Sequence, residues 1–154
     1  MILANLAKPT QVVKSGMTLR EALDICVKCD VPGVPFVDDA GEIIGRICIR
    51  ETLRKTCIPS YVVDAAHVLG DDIHEVNIPE LHAVDLLSQP VDHFILATVI
   101  TVTSQSPVIK GLAILEQLQS DYLFLVDDGD YKGVVTHMGI AQRLLEAVAG
   151  DDVI

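Results

Sequence analysis

Four cysteines and five histidines are the residues best suited to metal binding or redox chemistry in this 154-residue sequence. Cys26 and Cys29 form a Cys-x-x-Cys pair, a motif of both zinc sites and thiol oxidoreductases. A zinc site needs four ligands, and no second pair of cysteines or histidines follows at a useful spacing. A redox pair belongs at a helix start, whereas this pair falls near the end of a predicted helix. We therefore expect Cys26, Cys29, Cys48 and Cys57 to be reduced, metal-free thiols.

Residue patterns typical of catalysis are not found in the sequence. No Ser-His-Asp, Cys-His or metal-ligand arrangement is present. The glycines Gly41, Gly45, Gly129 and Gly133 fall in predicted hairpins, not in a phosphate-binding loop ahead of a helix. Paired aspartates beside them are typical of water-exposed turns. We expect no catalytic residue and no metal site, so the chain is predicted not to be an enzyme.

The charge and the apolar content exclude further classes of protein. The net charge is −11 and no cluster of Lys and Arg occurs, which argues against binding to nucleic acid. The first residues lack the basic start and the apolar run of a secretion signal. The longest apolar stretch, residues 94–102, is too short to span a membrane. The sequence predicts a cytoplasmic protein without a nucleic-acid or membrane partner.

The sequence contains two copies of one pattern. Val34–Asp39 and Leu123–Asp128 are each an apolar run that ends in paired carboxylates. Val126 follows Val37 by 89 residues, and Gly133 follows Gly45 by 88, so the second copy lacks one turn residue. A length change is tolerated best at a hairpin tip. The duplication predicts two units of similar structure.

In the first copy, Thr18 and Glu21 form a capping box that predicts a helix start. A short strand at 11–13 precedes this helix, a hairpin follows it, and a second helix is expected over 50–56. Spacing predicts the buried face of the first helix, namely Leu19, Ala22, Leu23, Cys26 and Val27.

The second copy repeats this order, with a strand at 99–102, a hairpin and a final helix over 138–149. Ser106 is expected as the N-cap of its first helix and Pro107 as the first helical residue. The predicted buried face is Val108, Ile109, Leu112, Leu115 and Leu118. Short helices at 60–69 and 79–88, with a turn at 70–72, are expected between the copies.

This duplicated order of elements resembles the tandem cystathionine-β-synthase-type (CBS) domain, or Bateman module. The segments Pro35–Gly41 and Phe124–Gly129 carry the resemblance, since each is an apolar strand ending in Val-Asp before a glycine turn. The resemblance implies an α+β fold of two pseudo-symmetric CBS (β-α-β-β-α) units packed as a tandem pair. We expect a first CBS motif at 1–58, a partly helical connector at 59–93 and a second motif at 94–154.

The resemblance also implies an adenosine-type ligand (AMP, ADP, ATP or S-adenosylmethionine) in the cleft between the motifs. Ligand-binding members carry Gly-x-x-Thr/Ser-x-x-Asp, in which the hydroxyl meets a phosphate and the carboxylate meets the ribose hydroxyls. In the first copy, Cys48 replaces the hydroxyl, Glu51 keeps the carboxylate, and Arg50 is placed to face a phosphate.

The second copy keeps the other half of the signature. Thr136 supplies the hydroxyl, His137 is placed near a phosphate, and Gly139 offers the ribose nothing. The family pattern places the adenine against Val13, Val34 and Pro35 in the first cleft, and Val102 and Leu123 are the corresponding positions in the second. We expect the first cleft to bind a nucleoside more tightly than the second.

Two functions remain open from the sequence. The first is a regulatory ligand sensor that needs no cofactor, forms a homodimer and signals to an unidentified effector protein in trans. The second is a ligand-free dimeric scaffold for protein interaction that uses the same fold, because a fold alone does not prove a function.

Overall fold

The computed structural model describes residues 1–58, 60–71 and 83–150, and its first half contains one three-stranded sheet. The first unit comprises β1 (Val13–Lys14), α1 (Leu19–Cys29), β2 (Gly33–Val37), β3 (Ile43–Cys48) and α2 (Ile49–Cys57). Strand β1 is parallel to β2, and β2 is antiparallel to β3. The predicted order of elements is confirmed.

A connector joins the two units. It contains the helix α3 (Ser60–Asp64), a 3-10 turn at Ala66–Val68 and the helix α4 (Ala83–Leu87). Residues 79–82 of the expected second connector helix, and residue 72 of the expected turn, lie outside the described residues.

The second unit repeats the first. It comprises β4 (Thr101–Val102), α5 (Val108–Gln117), β5 (Tyr122–Asp127), β6 (Asp130–Thr136) and α6 (His137–Ala149). Its strand pairing is the same, parallel between β4 and β5 and antiparallel between β5 and β6. The two hairpin turns contain Gly41 and Gly129 at φ +83° and +82°, a conformation that favours glycine.

Local signals predicted the start of α1 well and that of α5 less well. Thr18 Oγ1 accepts a hydrogen bond from the Glu21 amide at 3.3 Å, as expected for an N-cap. In α5 the N-cap is Pro107, so the prediction of Ser106 is wrong by one residue. The hydroxyl of Ser106 instead lies 3.2 Å from that of Thr103.

Three residues expected in the core are exposed, namely Val27, Ile109 and Leu118, at 71%, 72% and 56%. The buried face of α5 carries the predicted Leu115 and, in addition, Gly111. The N-terminal segment covers this face, because a Cβ added at Gly111 would lie 3.0 Å from the Leu3 side chain. Packing of a distant segment against α5 therefore sets which face is buried.

The segments that precede the two units exchange partners, and we call residues 1–8 and 91–96 the crossing segments. Lys8 exchanges two backbone hydrogen bonds of 2.9 Å with Val134 of the second sheet. Leu96 exchanges two of the same length with Arg46 of the first sheet. Each crossing segment contains a 3-10 turn, Leu3–Leu6 or Val91–Phe94, 88 residues apart in the chain. The duplication therefore includes these segments.

In the hydrophobic cores, too, each crossing segment packs with the unit that it does not precede. Leu3 and Leu6 pack in the core of the second unit with Leu115, Leu123 and Ile140. Val91 and Phe94 pack in the core of the first unit. The N-terminal residues therefore belong by packing to the second unit, while the domain boundaries at 58 and 93 stay a prediction.

The two sheets face each other. Tyr122, Phe124 and Val134 belong to the large core cluster that contains α1 and the first sheet. Leu123, Leu125 and Val135 belong to the other cluster. Because side chains alternate along a strand, one face of the second sheet covers the first unit and the other covers its own helices. Within the described residues, no helix is long and apolar enough to cross a membrane.

The repeated glycines Gly45 and Gly133 lie where the crossing segments approach the sheets. A Cβ at Gly45 would lie 2.8 Å from the Leu96 carbonyl oxygen, and one at Gly133 would lie 2.7 Å from that of Lys8. Backbone cannot yield as a flexible side chain does. Both positions therefore require a residue without a side chain for the crossing segments to pair.

We predict that Gly45→Ala destabilises the protein by about 1–3 kcal/mol, the usual penalty for overpacking. Urea unfolding measures this change. Gly70→Ala is the matched control, because nothing lies within 4 Å of a Cβ at that position. Equal unfolding midpoints for the two variants would contradict the close approach of Leu96 to Gly45.

Candidate ligand-binding site

A cleft of about 280 Å³ lies between the two units, and we call it the first cleft. One wall comes from the junction of β3 and α2, and the other from residues just before β4 and β5. The lining comprises Arg46, Cys48, Arg50, Glu51, Thr98, Ile100, Leu118, Gln119, Ser120, Asp121 and Tyr122. Strand β3 runs directly into α2, so Cys48, Arg50 and Glu51 share one wall, as the sequence predicted.

Glu51 lies in the first turn of α2, where the helix dipole favours a carboxylate. Its side chain is 30% exposed and pairs with Arg54. Arg54 donates to the same oxygen, Oε2, from Nε at 3.1 Å and from Nη2 at 2.9 Å. The carboxylate is therefore held at the cleft by a partner that uses one of its two oxygens.

Arg46, on β3, and Tyr122, on β5, connect the two walls. The Arg46 Nε donates to the Thr98 carbonyl oxygen at 2.7 Å, and Nη1 donates to the Tyr122 hydroxyl. The guanidinium also lies 5.5 Å from the centre of the Tyr122 ring, a cation–π arrangement. Burial raises the pKa of Tyr122 well above its usual value, so the phenol stays neutral at physiological pH.

Arg46 and Tyr122 were not among the residues predicted from the sequence. Arg46 carried a signal, because it lies two positions before Cys48 and therefore on the same face of β3. Tyr122 carried none, since its contact with the first unit depends on how the sheets pack. A Cβ added at Gly33 would lie 2.5 Å from the Tyr122 ring, so the ring also depends on this glycine.

A second, larger cavity of about 780 Å³ lies where the starts of α2 and α6 meet the end of α1, and we call it the junction cavity. It brings together Arg50, Thr136 and His137, predicted site residues from both copies. Thr136 Oγ1 accepts a hydrogen bond from the Gly139 amide at 3.0 Å and so caps α6. Most of the remaining lining is apolar, including Val27, Val31, Ile49, Leu53 and Met138.

No protein-family model matches this sequence, and no curated protein sequence matches it either. Solved structures do match. A CBS domain-containing protein of unknown function from Bacillus anthracis str. Ames Ancestor superposes with a TM-score of 0.64 at 17% identity, covering 95% of this chain and 94% of that chain. The chain folds as a tandem CBS domain pair.

Two further similar structures contain adenosine compounds. The CBS domain pair of protein MJ0100, in complex with 5′-methylthioadenosine and S-adenosyl-L-methionine, has a TM-score of 0.63 at 18% identity and coverages of 95% and 97%. CBSX2 in complex with AMP has a TM-score of 0.62 at 17% identity and coverages of 94% and 96%. At these identities the similarity shows the fold, and the ligands are those of the two other proteins.

The apolar positions expected to flank the adenine are buried in the CBS cores. Val13 and Val34 are 0% exposed in the first core, and Leu123 and Val102 are 1% and 7% exposed in the second. Pro35 is buried as well. Strand alternation turns Val34 towards α1. None of these five residues lines the first cleft or the junction cavity, and their contact with an adenine stays a prediction.

The cysteines of the first CBS unit are free thiols, with Cys26 and Cys48 buried and Cys29 half-buried. Burial raises the pKa of the Cys26 thiol to about 12, which leaves it protonated and unreactive. The side chain of Cys57 lies outside the description. Among residues 1–58, 60–71 and 83–150, no three Cys, His, Asp or Glu side chains group to hold a metal.

Proposed function

We propose that this CBS pair is a regulatory sensor that binds an adenosine-type nucleotide in the first cleft. The observation that carries the proposal is the Glu51 carboxylate at the cleft, on the wall opposite one built by the other unit. A carboxylate is suited to accept hydrogen bonds from both ribose hydroxyls. The AMP, methylthioadenosine and S-adenosylmethionine complexes of similar folds support this ligand class.

Each wall of the first cleft has a separate role in this proposal. Glu51 accepts from the ribose, and Arg50, which lines both the first cleft and the junction cavity, reaches a phosphate. Ile100 is half-buried and offers an apolar surface for the adenine, in place of the buried Val13 and Val34. The proposed sensing function involves no catalytic residue and no cofactor besides the regulatory ligand.

The regulatory output follows from the position of the cleft. Because the walls come from different CBS units, a ligand that touches both favours one relative placement of the units over others. A ligand shifts a conformational equilibrium only through such differential contacts. We infer that an effector protein, acting in trans, responds to this placement.

The second nucleoside position is expected to be weaker. Gly139 has no side chain to bind a ribose, and the hydroxyl of Thr136 already accepts the Gly139 amide. We therefore expect one nucleotide per chain.

We predict that Glu51→Gln weakens AMP binding by about 1.5–3 kcal/mol, because the substitution removes charge-assisted hydrogen bonds and keeps the side-chain size. Isothermal titration calorimetry measures the loss. Glu42→Gln is the matched control, since it makes the same charge change at an exposed hairpin position. Equal AMP affinity for Glu51→Gln and Glu42→Gln would remove Glu51 from the site.

A homodimer is the second part of the proposal, and exposed apolar side chains on α2 and α6 support it. Leu53 and Met138, at 43% and 70% exposure, line the junction cavity together. Leu145 and Val148 on α6 are 74% and 71% exposed, and Leu145 lies two turns after Met138 on the same helix face. A two-fold interface would bury this surface against its own copy.

We predict that the wild-type chain is a dimer and that Met138→Glu with Leu145→Glu is a monomer, because the new charges would be buried in the interface. Light scattering at micromolar concentrations measures the molar mass of the wild type and of the double variant. Ile109→Glu is the control, because Ile109 is equally exposed on α5.

A monomeric wild-type chain, or a double variant that remains dimeric, would contradict this interface. A dimer that gives no heat with AMP, ADP, ATP or S-adenosylmethionine would favour the ligand-free scaffold over the sensor.

A further inference from the structure

A separate cavity of about 340 Å³ lies behind α2, and we call it the rear cavity. Helix α2 forms one side, with the buried Thr52 and with Arg54 and Lys55. The second crossing segment forms the other, with Phe94 and Ile95. The rear cavity shares Glu51 with the first cleft and has otherwise a different lining.

Thr52 is a buried polar residue at a position where the fold itself needs none. Its side chain is 3% exposed, and within the described part of the chain its Oγ1 has no hydrogen-bond partner. The second unit provides an internal comparison. Ile140, 88 residues after Thr52, occupies the equivalent position in α6, and its apolar side chain is buried at 4% exposure. An unpaired buried hydroxyl is unfavourable for stability. Among the described residues the hydroxyl therefore keeps its hydrogen-bonding capacity for a ligand in the rear cavity.

The rear cavity is also positively charged in a chain whose net charge is −11. Arg54 and Lys55 line it against the single carboxylate of Glu51. Lys55 Nζ donates to the His93 carbonyl oxygen at 2.9 Å and lies 5.5 Å from the Phe94 ring. An ammonium has three donors and a guanidinium five, so both cations keep donors beyond the bonds described here.

The equivalent cavity of the second unit lacks this set of groups. Its volume is about 190 Å³. Gln142 stands where the first unit has Arg54, Ile140 stands in place of Thr52, and Gly139 in place of Glu51, while Arg143 keeps a cation in place of Lys55. The Thr52 hydroxyl and the Arg54 guanidinium are therefore specific to the first unit and are not required by the CBS fold.

We propose that the rear cavity binds a phosphate group through Arg54, Lys55 and Thr52. A phosphate presents several acceptor oxygens, which suit a guanidinium, an ammonium and a hydroxyl donor at once. Phe94 and Ile95 provide an apolar side for a small organic substituent. The group belongs either to free phosphate or to a phosphate monoester.

The test is the thermal unfolding midpoint of the full chain in inorganic phosphate, compared with sodium chloride at the same ionic strength. Phosphate is expected to raise the midpoint of the wild type, because a ligand that binds only the native state stabilises it. Thr52→Val is expected to lose this increase and, without phosphate, to be at least as stable as the wild type. That combination distinguishes a ligand-binding hydroxyl from one that stabilises the fold.

Calorimetry with the same probe gives the affinities. Thr52→Val and Lys55→Met are expected to bind inorganic phosphate about tenfold or more weakly, as expected for lost bonds to a charged group. Lys110→Met, an exposed lysine on α5, is the control and is expected to bind as the wild type does. Arg50→Gln, in the first cleft, tests whether inorganic phosphate binds there instead. Tighter binding of phenyl phosphate would assign a monoester, and equal binding would assign free phosphate.

Absence of a phosphate-specific increase in the wild type would overturn the proposal. Retention of the increase by Thr52→Val and Lys55→Met, or its loss in Arg50→Gln alone, would overturn it as well, since phosphate would then bind elsewhere. The assay contains no nucleotide, so its outcome is independent of nucleotide binding in the first cleft.

Discussion

The backbone pairing of each crossing segment with the sheet of the other unit is the contact on which the rest of the structure depends. Leu96 pairs with Arg46, and Lys8 pairs with Val134, each through two hydrogen bonds. The pairing brings a 3-10 turn with two buried apolar residues into each core. Neither unit therefore completes its core from its own strands and helices, and the duplicated glycines keep the space that the pairing needs.

The same pairing builds the cavities. Beyond Leu96 the chain continues through Thr98 and Ile100, which form a wall of the first cleft. The Thr98 carbonyl oxygen also holds the Arg46 guanidinium. Phe94 and Ile95, just before Leu96, form a wall of the rear cavity. Helix α2 lies between these two cavities and contributes side chains to both. One short segment thus connects core packing, the first cleft and the rear cavity.

Features that depend on neighbouring residues could be predicted from the sequence. The Thr18 cap, the two hairpins and the grouping of Cys48 with Glu51 all arise within a few residues. Features that depend on distant segments could not. The exposure of Ile109 follows from Leu3 packing on the opposite face of α5, at Gly111, and Tyr122 enters the cleft through sheet-to-sheet packing. The glycine repeat was visible in the sequence, but its cause, the approach of the Leu96 and Lys8 carbonyls, was not.

Native-state hydrogen exchange tests the dependence on the crossing segments most directly. The Arg46, Leu96, Lys8 and Val134 amides all donate across the two units. If these bonds complete both cores, the four amides exchange only through global unfolding, with the same free energy of opening as the β2–β3 ladder. If AMP binds the first cleft as proposed, saturating AMP should raise the opening free energy of the four amides and that of the β2–β3 ladder by the same amount, because the ligand binds only the folded, joined units. Exchange of these amides at a clearly lower free energy than the β2–β3 ladder would show that the crossing segments detach from the sheets without unfolding of the cores, which contradicts the account.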